Sequence, residues 1–292
     1  MYYVRIYEQG GINIHGREMN KINSILIAVF IYVFIQGTAL WISSGGYGIE
    51  KGVIEKIDKG EIKTVTENPQ DPYSGIYLFI MILVATGLLL LLLKYGLDKI
   101  IKIMMVSGFM VGLYFTFSNI FNPVIGLTAA LLLTILYAVK RDNIWVMDSV
   151  LLFVIPGIGS ILGASLSIIP ALIFIIVMSV YDIIAVFGTK HMVKLANLAN
   201  ESESSIPLMF AIPAEDRYLA LGTGDMALPV VFTVALLRNY PLEYSLVTAA
   251  GGLIGLVSIL AYILNKKGLA LPALPPIAVG LLSGFITSIL IF

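Results

Sequence analysis

Two aspartates, Asp182 and Asp225, stand inside stretches of sequence that are otherwise apolar. A carboxylate in the middle of a membrane helix costs about 2.5 to 3.5 kcal/mol on insertion scales, so two of them favour a functional role over helix-to-helix hydrogen bonding. Held close together in low dielectric, two carboxylates cannot both ionise readily and share a proton. Such a pair can take a proton from an attacking water and give one to a carbonyl oxygen.

Two short motifs accompany these acids. Gly222-Thr223-Gly224-Asp225 places two glycines within one turn of the second acid, where a backbone could approach closely. The segment Pro272–Pro276 has three prolines in five residues, which interrupt a helix and leave backbone groups that a membrane tolerates only beside protein or a wet cavity. Each motif alone is weak, because small-residue packing and proline-rich helix starts are common.

The elements that position these residues are predicted to be membrane helices. Of the 292 residues, 59% are hydrophobic and 12% are charged, whereas about a quarter of a soluble domain is charged. Apolar runs long enough to cross a bilayer recur throughout, which indicates an all-α polytopic membrane protein. Zero net charge argues against a nucleic-acid partner. With no cysteine and two histidines, neither a metal site nor a cofactor is expected.

Nine spans are predicted within a single membrane-embedded domain, 1–292. Spans one to five occupy 22–162, and spans six to nine occupy 169–292, with a cytoplasmic loop at 188–217. Around Asp58-Lys59-Gly60, loose alternation over Val53–Thr66 predicts a surface hairpin. The nine spans are 22–42, 73–93, 103–120, 123–139, 144–162, 169–187, 218–237, 244–264 and 268–292.

The distribution of basic residues predicts the orientation. Of the 18 Lys and Arg, 13 lie in the amino-terminal segment and the even-numbered loops, so these are assigned to the cytoplasm and Phe292 to the opposite side. Counted at about 1.5 Å per helical residue, Asp182 and Asp225 then lie about 8 and 10 Å from the cytoplasmic ends of their spans. Asp148 lies close enough to a cytoplasmic boundary to be interfacial.

In combination, Tyr181-Asp182, Gly222-x-Gly224-Asp225 and Pro272-Ala273-Leu274 on the sixth, seventh and ninth spans resemble the presenilin and signal peptide peptidase family of intramembrane aspartyl proteases. The predicted cytoplasmic location of the amino terminus is similar to that of presenilins. The compact chain with short loops resembles a microbial homologue of that family. The resemblance implies a catalytic dyad of Asp182 and Asp225. It also implies substrate-binding roles for Tyr181, Gly222, Thr223, Gly224, Pro272, Ala273 and Leu274.

The resemblance further implies that the partners are transmembrane-helix proteins within a lipid bilayer, of type I orientation. Thr223 departs from the leucine that presenilins usually have. The loop 188–217 is short, which argues against self-cleavage, and its apolar stretch Ile206–Pro213 is expected in or near the site. No accessory subunit is required by any sequence feature, and a homo-oligomer is left open.

Two other functions remain open from sequence. A prepilin-peptidase-like protease also has a G-x-G-D aspartate, but that family usually has lysine two residues later, where Ala227 stands here. An ion-coupled transporter or cation leak channel could use two buried carboxylates to bind cations. Such transporters often have repeated halves, and the sequence has no such repeat.

Overall fold

Ten helices and one small sheet make up the part of the chain that the computed structural model describes, residues 2–4, 21–45, 52–66, 68–140, 143–188, 209–214, 217–265 and 271–292. The strands are β1 (Tyr2–Val4), β2 (Met209–Ala214) and β3 (Arg217–Gly222). The helices are α1 (Lys21–Ser44), α2 (Val53–Asp58), α3 (Ser74–Lys94), α4 (Asp98–Ile120), α5 (Pro123–Val139), α6 (Ile144–Ala164), α7 (Ile168–Ile183), α8 (Thr223–Leu236), α9 (Leu242–Asn265) and α10 (Leu274–Ile291).

Seven of these helices, α1, α3, α4, α6, α7, α9 and α10, are long and apolar enough to cross a membrane, α7 being counted to Phe187. The chain is therefore an integral, multi-pass helical membrane protein, as its composition predicts. Helices α5 and α8 are also apolar but have 17 and 14 residues. At about 1.5 Å per residue α8 extends about 21 Å, less than a hydrocarbon core of about 30 Å. Each predicted span overlaps one of these nine helices, but the count of nine crossings stays a prediction.

Helix ends follow local sequence signals. Between α4 and α5 the side chain of Asn122 accepts a hydrogen bond from the backbone N–H of Ile125, and Pro123 occupies the first helical turn. An asparagine cap followed by proline is a strong helix start. Asn143 caps α6 in the same way, accepting from the N–H groups of Trp145 and Val146. The predicted break between the third and fourth spans is confirmed.

The hairpin predicted for Val53–Thr66 is wrong, because the chain forms helix α2 there. An ion pair between Lys59 and Glu55, four residues apart, lies along this short helix. Gly60 follows with a φ of 73°, the left-handed conformation that commonly ends a helix. The glycine that suggests a hairpin turn therefore terminates a helix instead.

The three strands form an antiparallel sheet in the order β1-β3-β2. Strand β3 occupies the start of the predicted seventh span, 218–237, so the helical assignment is wrong up to Gly222. Alternate residues of β2, namely Phe210, Ile212 and Ala214, are buried. Short apolar runs fit a strand or a helix equally well, and the pairing with β2 decides for the strand.

Glycines let several helices approach one another closely. A Cβ built on Gly251 of α9 would lie 2.2 Å from the backbone oxygen of Gly280 on α10. On α6, a Cβ on Gly163 would lie 2.6 Å from the backbone oxygen of Val231 on α8. Such contacts are typical of small-residue packing between membrane helices. These contacts pack α9 against α10 and α6 against α8. Helix α7 contacts both α8 and α10.

Candidate active site

Asp182 lies in the last turn of α7. After Ile183 the chain continues as a π-helical turn, Ile184–Gly188, and such turns are frequent at functional sites. The carboxylate is half-buried, and its Oδ2 accepts a hydrogen bond from the backbone N–H of Leu274 at 3.2 Å. Asp182 is thereby linked directly to the start of α10.

Asp225 lies in the first turn of α8, directly after the strand–helix junction. Its half-buried carboxylate accepts a hydrogen bond from the backbone N–H of Gly222 and interacts electrostatically with Asp182. The start of a helix also favours a negative charge. The depth predicted for Asp225 assumed helix from Tyr218 onward and does not hold, since β3 replaces that helix. The two acids nevertheless lie on helices that contact each other, close enough to interact electrostatically.

The two glycines of the motif have different surroundings. A Cβ on Gly222 would lie 2.9 Å from Oδ2 of Asp225, whereas a Cβ on Gly224 would have no heavy atom of the described residues within 4 Å. Gly222 therefore leaves room for the carboxylate, and not for a neighbouring backbone as its sequence suggests. Thr223, between them, is half-buried at the start of α8.

Pro272, Ala273 and Leu274 are all buried, and Ala273 caps the start of α10. Pro275 follows in the first turn, where a missing N–H has no partner to lose. The backbone N–H of Leu274 binds the carboxylate of Asp182. The segment thus holds Asp182 in place through its backbone.

Tyr181, next to Asp182 on α7, contacts a different helix. Its ring packs edge-on against Phe79 of α3, with ring centroids 5.8 Å apart. This contact fixes α7 against α3. The structure therefore brings Asp182, Asp225, Gly222 and Leu274 together and places Tyr181 in a helix contact.

Sequence reasoning treated Asp148 as interfacial and assigned it no partner. In the structure it is half-buried on α6, and its Oδ1 accepts a hydrogen bond from the backbone N–H of Ala211 at 3.4 Å. Ala211 belongs to β2, which forms the described part of the apolar stretch Ile206–Pro213 and pairs with the strand leading to Asp225. The one available signal was a third acid within a predicted span. Among the described residues, no three His, Asp or Glu side chains lie close enough together to hold a metal ion.

The family model and the solved structures that match this chain all describe intramembrane or presenilin-type aspartyl proteases. A family model described as "Signal-peptide peptidase, presenilin aspartyl protease" matches residues 52–292. A solved structure of a presenilin family intramembrane aspartate protease in space group C222 superposes with a TM-score of 0.67 at 22% identity, covering 92% of this chain and 99% of that one. Another, in space group P2, gives 0.62 at 21% identity, covering 91% and 98%. No curated protein sequence matches the chain.

Proposed function

The chain belongs to the signal-peptide peptidase and presenilin family of intramembrane aspartyl proteases, and we propose that it hydrolyses peptide bonds within transmembrane helices through Asp182 and Asp225. The observation that supports this dyad is the electrostatic interaction between two half-buried carboxylates on adjacent apolar helices. The substrates of this protein would be membrane proteins in the same bilayer. The family match gives no support to transport, ion leak or prepilin processing.

In the proposed reaction the two carboxyl groups share one proton. The ionised carboxylate takes a proton from a water molecule as the water oxygen bonds to the scissile carbonyl carbon. The protonated carboxyl group gives its proton to the carbonyl oxygen, forming a tetrahedral diol. When the C–N bond breaks, the carboxyl group gives its proton to the leaving amine, and one diol hydroxyl returns a proton to the other carboxylate, which restores the pair with one proton. Backbone N–H groups of Leu274 and Gly222 hold Asp182 and Asp225 for these transfers.

A substrate helix must unwind before it can react, because its carbonyls are hydrogen-bonded within the helix and shielded by side chains. Once unwound in a membrane, the freed backbone groups need new partners. Strand β3 ends at Gly222, three residues before Asp225, and its edge away from β2 already accepts β1 in antiparallel pairing. We therefore place the unwound substrate segment along this edge, in the position of β1. The buried segment Pro272–Leu274 is less suited to this pairing than the sequence suggests.

The test of this function is incubation of the reconstituted protein with a single-span model substrate. Mass spectrometry should find fragments that end within the substrate's transmembrane segment, in the third nearest the cytoplasm. Ion flux across the liposome membrane, measured in parallel without substrate, should be absent. Flux without fragments would reject the protease and favour a transporter or channel.

If substrate replaces β1, weakening β1 should accelerate cleavage. Alternation along β3 directs the backbone groups of Tyr218 and Ala220 toward β1, opposite Val4 and Tyr2. Val4→Pro removes an N–H from this ladder, worth about 1 kcal/mol or about fivefold in occupancy. We expect a few-fold higher initial cleavage rate at low substrate concentration. Val4→Ala keeps the N–H and serves as the control; equal rates for both variants would exclude displacement of β1.

The space that Gly222 leaves for the Asp225 carboxylate can be tested by substitution. Gly222→Ala should push the Asp225 carboxylate out of position, and a misplacement of about 1 Å can cost about 100-fold in rate. We expect at least a tenfold loss in the rate of substrate cleavage. Gly108→Ala on α4 is the control, because it lies outside the site and the added methyl group would have no described heavy atom within 4 Å; it should stay within about twofold of wild type. Equal losses for both variants would contradict the role assigned to Gly222.

The orientation is tested by labelling, since the chain has no cysteine to remove. We propose that the amino terminus is cytoplasmic and the carboxy terminus extracytoplasmic, from the distribution of Lys and Arg. Single cysteines at Ser202 and Thr64 should react with a membrane-impermeant reagent from opposite sides, Ser202 from the cytoplasm. Labelling of both from one side would refute the five spans predicted between them, and labelling of Ser202 from outside with Thr64 from the cytoplasm would refute the orientation.

A further inference from the structure

Asp148 is a third carboxylate within an apolar membrane helix, one turn after the start of α6. It is half-buried and is not part of the pair formed by Asp182 and Asp225. A carboxylate in such a helix is costly and generally marks a function. Its hydrogen bond from the N–H of Ala211 joins α6 to β2.

One edge of β2 faces β3, and the backbone groups on its other edge bind side chains of the helices. All six residues of β2 lie opposite β3, but the backbone groups along a strand point alternately to its two sides. Those of Ala211 and Pro213 point away from β3, since their partners are side chains of helices. There the N–H of Ala211 binds Asp148 of α6. The carbonyl oxygen of Pro213 accepts a hydrogen bond from Ser24 Oγ of α1 at 2.6 Å. Proline has no N–H, which suits this outward position on an edge strand.

Helix α6 also contacts the helix that carries Asp225. A Cβ on Gly159 would lie 2.7 Å from Val230 Cγ1, and one on Gly163 would lie 2.6 Å from the backbone oxygen of Val231. Helix α6 therefore supports α8 through its glycines and supports β2 through Asp148. Asp225 lies where β3 passes into α8, between these two supports. Release of β2 from α6 would let the junction move relative to Asp182.

We propose that Asp148 is a positioning residue for intramembrane proteolysis, which accepts the Ala211 N–H and so fixes the β2–β3 hairpin on α6 with Asp225 facing Asp182. This inference rests on the proposed function, because it assigns Asp148 a role in the same active site. What Asp148 supplies is a hydrogen-bond acceptor at a fixed place, and not a charge or a proton. A carboxamide oxygen at the same place should therefore replace it.

Two variants separate these roles. Asp148→Asn keeps an acceptor oxygen, and Asp148→Leu has similar size but no acceptor. With a single-span substrate in liposomes, we expect kcat to fall at least tenfold in Asp148→Leu and to stay within about threefold of wild type in Asp148→Asn. Binding of a peptide analogue with a hydroxyl-bearing tetrahedral carbon at the scissile position should weaken in the same order. Ser24→Ala, which releases the other anchor, should lower kcat in the same direction and does not depend on Asp148 variants folding.

The attachment of β2 to α6 can also be measured without proteolysis, by thiol labelling, because the chain has no cysteine of its own. Ile212 of β2 is fully buried, so a cysteine introduced there by Ile212→Cys should react slowly with a thiol reagent. Adding Asp148→Leu should speed the reaction several-fold, and adding Asp148→Asn should not. Unchanged labelling with Asp148→Leu, or equal loss of kcat in folded Asp148→Asn and Asp148→Leu, would overturn the inference. Failure of wild type to cleave any substrate, with the labelling difference intact, would instead reject the proposed function.

Discussion

Alanine in place of either Asp182 or Asp225 is expected to abolish proteolysis, with a fall in kcat of at least about 1,000-fold. Each substitution removes one half of a pair that shares a proton, so neither water activation nor protonation of the carbonyl oxygen can occur. Asparagine should be equally inactive. It can still accept the N–H of Leu274 or Gly222 but cannot carry a carboxyl proton. The Asn variants therefore separate chemistry from loss of packing.

Fragment yield from a single-span substrate, quantified by mass spectrometry, measures this loss. All four variants should insert and unfold at a temperature no lower than wild type, since each removes a carboxylate from an apolar helix. Glu243→Gln is the control, because Glu243 is an exposed acid in the first turn of α9, outside the site. Retention of more than about 1% of wild-type kcat by any folded dyad variant would exclude the proposed chemistry.

The two candidate acids could be identified from sequence because the cost of a carboxylate in lipid does not depend on knowing the fold. Asp182 and Asp225 stand out against apolar neighbours, and in the structure they are close enough to interact electrostatically. Their catalytic role stays a prediction. The break at Asn122 was predictable for a similar reason. A capping side chain and a following proline act over three residues, so the local sequence contains the whole signal.

What could not be predicted depends on partners far away in the sequence. An apolar run before Gly222 fits the start of a membrane span, and only its pairing with β2 makes it a strand. The partner of Asp148 is Ala211, a backbone group 63 positions away. Gly60 was ambiguous even locally, because a positive φ ends a helix as readily as it forms a hairpin turn. The two motif glycines could be recognised in the sequence, but the sequence does not show that Gly222 leaves room for Oδ2 of Asp225.

The contact between α9 and α10 should be the part of the bundle most sensitive to added volume. A Cβ at Gly251 would lie 2.2 Å from the backbone oxygen of Gly280 and 2.9 Å from Cα of Gly284, and neither atom can rotate away. Gly251→Val must therefore separate the two helices, and overpacking of this kind costs about 1 to 3 kcal/mol. Since α10 begins at Leu274, whose N–H binds Asp182, cleavage should fall together with stability.

Thermal unfolding in detergent and the cleavage rate at a temperature below the transition measure the two effects. Gly108→Val is the matched control: Gly108 lies within α4, and an added Cβ would have no heavy atom within 4 Å in the part of the chain that the structure describes. Both substitutions make the same change in helix propensity and apolar volume, so their difference isolates the helix contact. We expect Gly251→Val to unfold several degrees lower and to lose at least tenfold in cleavage rate, with Gly108→Val close to wild type. If Gly251→Val unfolds at the wild-type temperature, α9 and α10 are not in backbone contact and α10 must be held against Asp182 by other means.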